Sequence, residues 1–487
     1  MKLAYKTSVV AVAAAFALTA CSFGPGGEPP AMPSPEHYGA QAQPSKTVAA
    51  GGVAQQFEIG ATSVPQWWRL YRSDALDALV DEGLRNSLTL AAAQRTLASA
   101  QQELRAQIGA STLPSVGGAA QVERARSPVV PGLGPEQVQY NFFAGQLQAH
   151  YTFDLFGQTR YTNSASAARV NVQAYELEAA RRALAANIVG TAINVAALDR
   201  QIALTERLVA TANETADEDQ QRYALGSVSR AQALASTQDA ASEAATLPPL
   251  RQQRALAVHA LAVLMGRTPD NAPSVPQLDS LSLPEHVPVV VPSHLLRSRP
   301  DIQAADAAVK AAAADVGAAT AQMFPSLSLT GAMGRGGFSW PAVLSGAGGL
   351  WAIGASLSQP IFHGGALFAQ RRASLEAYDA AVLHYKSTVL SAFQDVANSL
   401  AGLDNDAQTL ASTERAAQAA QAAFDDTASR HRMGSLPSTA AHASEQRFLS
   451  AQIASVRAAS QRMSDTAALF QAMGELPPGQ PQATSRE

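Results

Sequence analysis

Two short acidic clusters are the part of this sequence whose residue types and spacing suggest a chemical role. One runs from Asp217 to Asp219, and the other is the pair Asp425 and Asp426. Each lies shortly before a turn that contains a glycine, Gly226 or Gly434. If several copies of the chain assembled around an axis, inward-facing acids would form rings that attract cations and repel one another. The sequence therefore allows a charged constriction here, and a solvated helix face is the alternative.

No arrangement of side chains typical of an enzyme is found in the sequence. The nine histidines are scattered, without the paired spacing that predicts a metal site. The glycines of residues 334–337 lack the strand–helix context of a phosphate-binding loop. Charged residues make up 15% of the chain and the net charge is −4, which gives no reason to expect a nucleic acid partner. We therefore expect no enzymatic activity and no cofactor apart from the lipid described next.

The only cysteine, Cys21, follows a segment typical of secretion. Lysines precede an apolar run, Val9–Leu18, that is too short to span a bilayer comfortably. Small residues stand directly before Cys21, as in a bacterial lipobox, where cleavage precedes the cysteine and lipid is attached to it. The alternative is an ordinary signal peptide with a chance cysteine. We expect a signal peptide over residues 1–20 and a lipidated, flexible tether, rich in proline and glycine, over residues 21–55.

Two long stretches with a helical pattern dominate the chain, at residues 158–225 and 365–433. Neither contains proline, each contains one glycine in its interior (Gly190 and Gly402), and both are rich in alanine, the best helix former. Apolar residues recur at sevenfold spacing, which is typical of a coiled coil. They are Ile188, Val195, Ile202, Val209, Ala216 and Tyr223, and then Val382, Val389, Val396, Leu403, Leu410, Ala417 and Phe424. At 1.5 Å per residue each helix would be about 100 Å long, which suggests a bundled or hollow rod and not a pocket enzyme.

Each long helix is preceded by the pattern of a β-hairpin, at about residues 115–156 and 326–362, and the second hairpin has a glycine-rich loop from Gly334 to Gly349. A predicted helix precedes each hairpin: the first begins near Asp74 and ends before Pro114, and the second runs from Leu295 to Met323. In the first hairpin, apolar and polar side chains alternate over more than ten residues, which favours a membrane-spanning strand over a half-buried strand of a soluble sheet. Matching motifs in the two halves keep an offset of roughly 206 to 212 residues, which indicates an internal duplication. After the tether, the predicted units are a first repeat at 56–266, a linker at 267–294, a second repeat at 295–474 and a disordered tail at 475–487.

Four strands in one chain are too few to close a barrel. Open sheet edges in hydrocarbon leave backbone groups unpaired at a cost of several kcal/mol each, and outer membrane barrels need about eight strands or more. Several chains must therefore share one barrel, and three chains supply twelve strands. The residues therefore predict a fold that is mainly α with membrane β-hairpins, in which a β-barrel shared between chains continues into a cylinder of the long helices.

Several motifs resemble those of the outer membrane factors, the TolC-like export ducts, and in particular of the NodT/OprM-type lipoproteins that are paired with resistance–nodulation–division efflux pumps. The most specific is the string Leu-Leu-Arg-x-Arg-Pro-Asp-Ile, and the matching segments are Trp67–Trp68, Phe153–Gly157, Leu295–Ile302, Phe324–Leu327 and Pro360–Gly365. His363 departs from the family, in which many members carry Asp or Asn. The resemblance implies a homotrimer whose twelve-stranded β-barrel lies in the outer membrane lipid and continues into a long periplasmic coiled-coil α-barrel. It also implies a periplasmic adaptor protein and an inner-membrane pump as partners.

The resemblance also assigns roles to the turns that end the two rods. It implies that these tips dock the adaptor, and the residues concerned are Arg222, Gly226 and Ser229 in the first tip and Arg430, Gly434 and Ser435 in the second. A plain helix-terminating glycine beside an exposed arginine is the alternative. Family members close a periplasmic gate with aspartates before the second tip, which matches Asp425 best, with Asp426 and Asp217 as further candidates.

The function implied is that of a passive exit duct for drugs or other small molecules in a tripartite efflux system. One alternative is the outer membrane duct of a type I protein-secretion system. Another, from a different class, is a structural coiled-coil lipoprotein of the envelope, which would form no barrel. A duct that passes many compounds needs no specific pocket, so the sequence does not identify the substrates.

Overall fold

The structure is a computed structural model that describes residues 23–33, 35–39, 44–61, 64–126 and 139–474. The predicted signal peptide, the predicted lipid attachment at Cys21 and the predicted disordered tail lie outside these residues.

Ten helices and six strands make up the described part of the chain, together with short 3-10 turns. The helices are α1 (Asp74–Asn86), α2 (Leu88–Thr112), α3 (Gln158–Ala224), α4 (Arg230–Ala244), α5 (Leu247–Leu264), α6 (Pro292–Ser298), α7 (Pro300–Ala321), α8 (Trp340–Leu344), α9 (Ala366–Arg432) and α10 (Ser438–Ala472). The strands are β1 (Gln56–Ile59), β2 (Ser115–Arg126), β3 (Gln139–Phe153), β4 (His286–Val289), β5 (Ser326–Gly337) and β6 (Gly349–Ser358). Within these ranges, no helix has both the length and the apolar composition needed to cross a bilayer.

The two predicted rods are confirmed as α3 and α9, which have 67 residues each. The predicted sevenfold seam of α9 is also confirmed in its middle part, because Val389, Val396, Leu403 and Leu410 are all fully buried or nearly so. Helices α10 and α7 both pack against α9.

The predicted seam of α3 is confirmed at Ile188, Val195 and Ala216, which are buried, and is wrong at Ile202, Val209 and the exposed Tyr223. Ile202 and Val209 are only half-buried, whereas Leu204 and Leu208 are buried against Leu449 of α10. The cause is that α3 packs against α10 as well as against α4, α5 and α7. A helix with several partners buries more than one stripe, and a single sevenfold repeat does not describe it.

Two helices predicted as continuous are each broken in the structure. The helix expected to run from Asp74 to Pro114 is divided at Ser87, whose hydroxyl accepts a hydrogen bond from the Leu90 amide and starts α2. The helix expected from Leu295 to Met323 begins earlier, with α6, and is divided before Pro300, where α7 starts. Proline disfavours a helical conformation in the residue before it and is well placed at the first position of a new helix.

The hairpin strands form one antiparallel sheet in the order β2-β3-β5-β6. The register places apolar residues opposite one another across the strands, as in the row formed by Tyr151, Leu329 and Ala355. The neighbouring row on the other face is polar and includes His150, Thr330 and, next to β2, Ser115. Because side chains alternate between faces, the predicted amphipathic pattern extends over the whole sheet.

The outer strands of this sheet, β2 and β6, each have one edge without a strand partner in the described chain. Every residue of β6 is exposed, including Trp351 at 82% and Ile353 at 78%. The glycine-rich loop predicted from Gly334 to Gly349 is shorter than expected, since β5 continues to Gly337 and α8 fills the turn. A long sheet with an apolar face and two open edges is incomplete as a single chain.

The main core lies where the middle of α3 (residues 184–197), the middle of α9 (residues 385–403) and the C-terminal end of α10 meet α1, α5 and α7. Trp67 stacks on Phe470 with ring centroids 5.5 Å apart. Arg299, in the motif before α7, bonds to Asp395 of α9 at 2.6 Å and to the carbonyl of Ala472 at the end of α10. The Trp67 contact therefore joins the two repeats, whereas the Arg299 contacts join helices within the second repeat.

The N-terminal segment does not form the flexible tether that was predicted. Phe23 packs against Phe324, with centroids 4.7 Å apart, and its amide donates to the Tyr161 hydroxyl. Further along, residues 44–55, here called the strap, lie against α9 and α10, where Arg462 binds them. Composition alone suggested a free linker, because the partners of this segment lie hundreds of residues away in the sequence.

Two glycines, Gly317 in α7 and Gly190 in α3, provide a matched test of how closely these two helices pack. A Cβ at Gly317 would lie 2.5 Å from the Tyr161 ring, so that Gly317→Ala should destabilise the fold by about 1–3 kcal/mol through overpacking. A Cβ at Gly190 would have no neighbour within 4 Å, so that Gly190→Ala should be neutral or stabilise by about 0.5–1 kcal/mol. Denaturant unfolding of the purified protein, followed by circular dichroism, measures both. Equal stability changes in the two variants would contradict the close packing of α3 on α7.

Candidate functional site

The ends of the two rods share one backbone geometry. Gly226 and Gly434 both have φ near +74°, a left-handed conformation that favours glycine. The amide of Ser227 donates to the Arg222 carbonyl at 2.8 Å, and the equivalent bond in the second tip, from Ser435 to Arg430, is 2.9 Å long. Both serine hydroxyls donate to the same carbonyls. This arrangement caps the last turn of each rod and reverses the chain.

Each tip arginine pairs with an acid on its own helix. Arg222 lies 3.3 Å from Asp219, and Arg430 lies 3.1 Å from Asp426. Both guanidinium groups remain about half exposed. The pairs differ in the environment of the acid, because Asp219 is buried whereas Asp426 is exposed.

Asp219 joins the two helices of the first tip. Its carboxylate accepts hydrogen bonds from the hydroxyl of Ser236 and, at 3.0 Å, from the side chain of Gln232, both on α4. These bonds, with the nearby Arg222, hold the pKa of Asp219 below its usual value, although burial opposes the shift. Ser229 caps the start of α4 through the Gln232 amide. The first tip is therefore fastened by a buried, charged hydrogen-bond network.

The second tip has no equivalent network among its described residues. Thr427 stands seven residues before Gly434, where Asp219 stands seven residues before Gly226. Its hydroxyl bonds back to carbonyls of its own helix and not to α10. Across the helix pair, Phe424 stacks on Phe448 with centroids 6.0 Å apart. The two tips share one backbone geometry, but only in the first does a charged carboxylate join the two helices.

The three gate candidates are exposed, and a single chain does not bring them together. Asp425 accepts a hydrogen bond from Gln421 on its own helix at 3.0 Å, and Asp426 pairs with Arg430. Asp217 lies on the exposed side of α3, next to the buried Asp219 network. Helix α10 packs against both rods, so the two sets of acids belong to different helix pairs.

Sequence reasoning missed a set of contacts that joins α3 to α10 near the tips. Glu218 accepts from the Ser438 hydroxyl at the start of α10 and lies 3.3 Å from the His442 ring. Farther from the tip, Arg207 of α3 donates to Glu445 of α10 at 2.8 Å. The partners are more than 200 residues apart, and no spacing rule connects them. Only the Asp219–Ser236 contact could have been found, because residues at similar distances from a hairpin turn face each other.

In the described part of the chain, no group of three or more His, Cys, Asp or Glu residues is placed to hold a metal ion. The features with functional geometry are therefore the paired tips, the acids beside them and the incomplete sheet.

Comparisons with known proteins agree with this geometry. A family model for the outer membrane efflux protein matches residues 79–267 and 291–475, and each matched segment contains one hairpin and one rod. The chain belongs to the outer membrane efflux protein family. The members of this family are channel proteins of the outer membrane of Gram-negative bacteria, so the exposed sheet is the membrane part and the rods form the periplasmic helical barrel.

Individual relatives cover most of this efflux protein. TtgC of Pseudomonas putida, a probable efflux pump outer membrane protein, is 30% identical over 435 residues, which cover 86% of this chain and 85% of TtgC. OpmQ of Pseudomonas aeruginosa, a pyoverdine export outer membrane protein, is 28% identical over 421 residues, which cover 85% of this chain and 88% of OpmQ. The MtrE outer membrane channel of Neisseria gonorrhoeae, solved in its open state, is 25% identical with a TM-score of 0.73, covering 92% of this chain and 98% of MtrE.

The buried carboxylate of the first tip gives a prediction with a defined pH dependence. Asp219→Asn should speed amide exchange in α4 about tenfold or more, since hydrogen bonds to a charged group contribute about 1.5–3 kcal/mol. Because folding lowers the pKa of Asp219 from 3.8, its contribution is present above that value and is lost only as the pH falls through the lower, folded pKa. Wild-type protection, corrected for intrinsic exchange rates, should therefore stay constant between pH 8 and pH 5.

Hydrogen exchange with mass spectrometry measures the protection of α4. The control is Asp217→Asn, at an exposed position two residues away, which should leave α4 unchanged. If the two variants behave alike, Asp219 does not fasten the tip.

Proposed function

We propose that this efflux protein is the passive exit duct of a tripartite pump of the resistance–nodulation–division type, and that it carries small molecules across the outer membrane. The family membership, together with a sheet that is incomplete in one chain, carries the proposal. The names of TtgC and OpmQ refer to an efflux pump and to export of pyoverdine, which favours small molecules over secreted proteins as cargo. Energy would come from the inner-membrane partner.

The duct is a homotrimer in this proposal. Strand β6 of one copy would pair with β2 of the next, and three copies would close twelve strands into a barrel with its apolar rows toward lipid and its polar rows toward the lumen. The strands have 10 to 15 residues, which suits a membrane span of about 9–11 tilted residues. Closure would pair every backbone edge that is open in the single chain.

The tips are the proposed docking sites for the periplasmic adaptor. Arg222 and Arg430 are half exposed beside turns of identical geometry, so that three copies would present six similar turns in a ring. The apolar side chains of Leu225 and Met433, directly before the two glycines, are 84% and 72% exposed and add an apolar surface at the same level. The difference in fastening suggests that the first tip is a fixed contact and that the second tip moves when the duct opens.

The position of Phe23, two residues after Cys21, supports the proposed lipid anchor. Phe23 lies against Phe324 and Phe156, at the junction between the membrane strands and the helices. Two residues span at most about 7 Å, so Cys21 would be close to the membrane boundary. An acyl chain attached there would reach the inner leaflet.

Deletion of the gene, followed by profiling of drug and solvent susceptibility, tests the proposed function. We expect increased sensitivity to several unrelated small molecules, restored by the wild-type gene. Loss of a secreted protein with unchanged susceptibility would instead support a type I secretion duct. An altered envelope spacing, without channel currents from the purified protein, would support a structural lipoprotein.

The gate assignment predicts a change in conductance. The double substitution Asp425→Ala and Asp426→Ala should increase the ion conductance of the purified trimer in planar bilayers several-fold, because it removes two proposed rings of carboxylates from the periplasmic end. The matched control is Asp239→Ala, which removes an exposed acid from α4. Unchanged conductance in the double variant, or an equal increase in the control, would contradict the gate.

A further inference from the structure

The fully buried guanidinium group of Arg462 lies in the middle of α10, far from the tips. It donates to the side chains of Gln55 and Thr47, and to the carbonyls of Ala50 and Val53, at distances of 2.8–3.3 Å. All of these acceptors belong to the strap or its end, and none of them is charged. A buried cation is costly unless it is paired, so the structure requires negative charge nearby.

Helix α9 supplies that charge. Glu414 has the larger effect on Arg462, and Asp406, also on α9, contributes only when it is ionised. Glu414 also accepts the amide of Gly51 at 3.0 Å, so that it holds the strap from the opposite side. The strap is therefore bound jointly by the two helices of the second repeat, over one continuous set of polar contacts.

Asp406 also faces a second acid, Asp465 of α10. The one glycine of the second rod, Gly402, explains how the helices approach here, because a Cβ on it would lie 3.2 Å from a carboxylate oxygen of Asp465. Asp465 accepts a hydrogen bond from Gln461 through its other oxygen. Oδ2 of Asp406 is buried without a partner among groups that carry a fixed hydrogen. Two carboxyl groups in this position form a hydrogen bond only when a proton lies between them.

Burial raises the pKa of Asp406 to about 7, and the hydrogen bond and the charge of Asp465 act in the same direction, whereas Arg462 opposes them. The hydroxyl of Tyr71, which also lies near Asp465, donates to the Met463 carbonyl and adds no charge. Folding therefore favours the protonated form of Asp406. Its stabilising contribution is complete at low pH and is lost as the pH rises through about 7.

We propose that Asp406 and Asp465 share one proton, and that this pair, with Arg462 and Glu414, forms a pH-dependent lock between α9, α10 and the strap. Below neutral pH the shared proton joins the two helices beside Gly402. Above it, two like charges repel each other across the same gap, and the site that holds the strap becomes looser. The lock would thus couple periplasmic acidity to the grip of the N-terminal segment on the helices that carry the second tip. It does not depend on the proposed transport function.

Infrared difference spectroscopy of the full chain in detergent tests the shared proton. Between pH 6 and pH 8 we expect a protonated carboxyl band to disappear in the wild type. The band should be absent in Asp406→Asn and retained in Asp404→Asn, a control two residues away whose carboxylate accepts from Gln408 on its own helix. A wild type without the band, or a band that persists in Asp406→Asn, would overturn the proposal.

Hydrogen exchange of residues 47–55 tests the lock itself. After correction for intrinsic rates, the protection of the strap should fall about tenfold from pH 6 to pH 8, because linkage gives about a tenfold change over the one pH unit below a folded pKa of about 7 and almost none above it. Asp406→Asn, which keeps the shape but not the charge, should abolish this pH dependence, and Asp465→Asn should do the same. If both variants fold and keep the wild-type pH dependence, the acid pair does not control the strap.

Discussion

Open backbone edges are the constraint on which the rest of this structure depends. The sheet ends at β2 and at β6, and both edges carry amide and carbonyl groups without a strand partner in the described chain. In water such edges invite aggregation, and in hydrocarbon they cost several kcal/mol for each unpaired group. The chain therefore reaches a stable state only when other copies supply the missing strands. An assembly closed in this way brings every rod, tip and acid into a ring.

The internal duplication provides two copies of one architecture and allows their details to differ. Gly226 and Gly434 give the two tips the same backbone, yet a buried aspartate fastens the first tip and a threonine stands in its place in the second. The strap is likewise bound by side chains of the second repeat, Arg462 and Glu414. The first repeat is thus held more rigidly at its tip, and the second repeat is held more rigidly where the strap binds. This arrangement suits a duct in which one helix pair moves relative to the other.

Local patterns were enough to predict the elements of the fold. The absence of proline located both rods to within one residue, and the alternation of apolar and polar residues predicted the two faces of the sheet. The predictions failed where tertiary partners decide the outcome. Ile202 is only half-buried because α3 also packs against α10. The strap, which composition predicted to be flexible, is bound by the side chain of Arg462. The tip arginines and glycines were visible in the sequence, whereas the Glu218–Ser438 contact depends on a fold that brings distant segments together.

Native mass spectrometry of the purified protein in detergent tests the central claim most directly, because it counts the chains that complete one sheet. The account predicts a complex of three chains that persists until the strands themselves unfold. A stable single chain with its extended strands intact would contradict it, because the open edges of β2 and β6 would then not require strands from other copies.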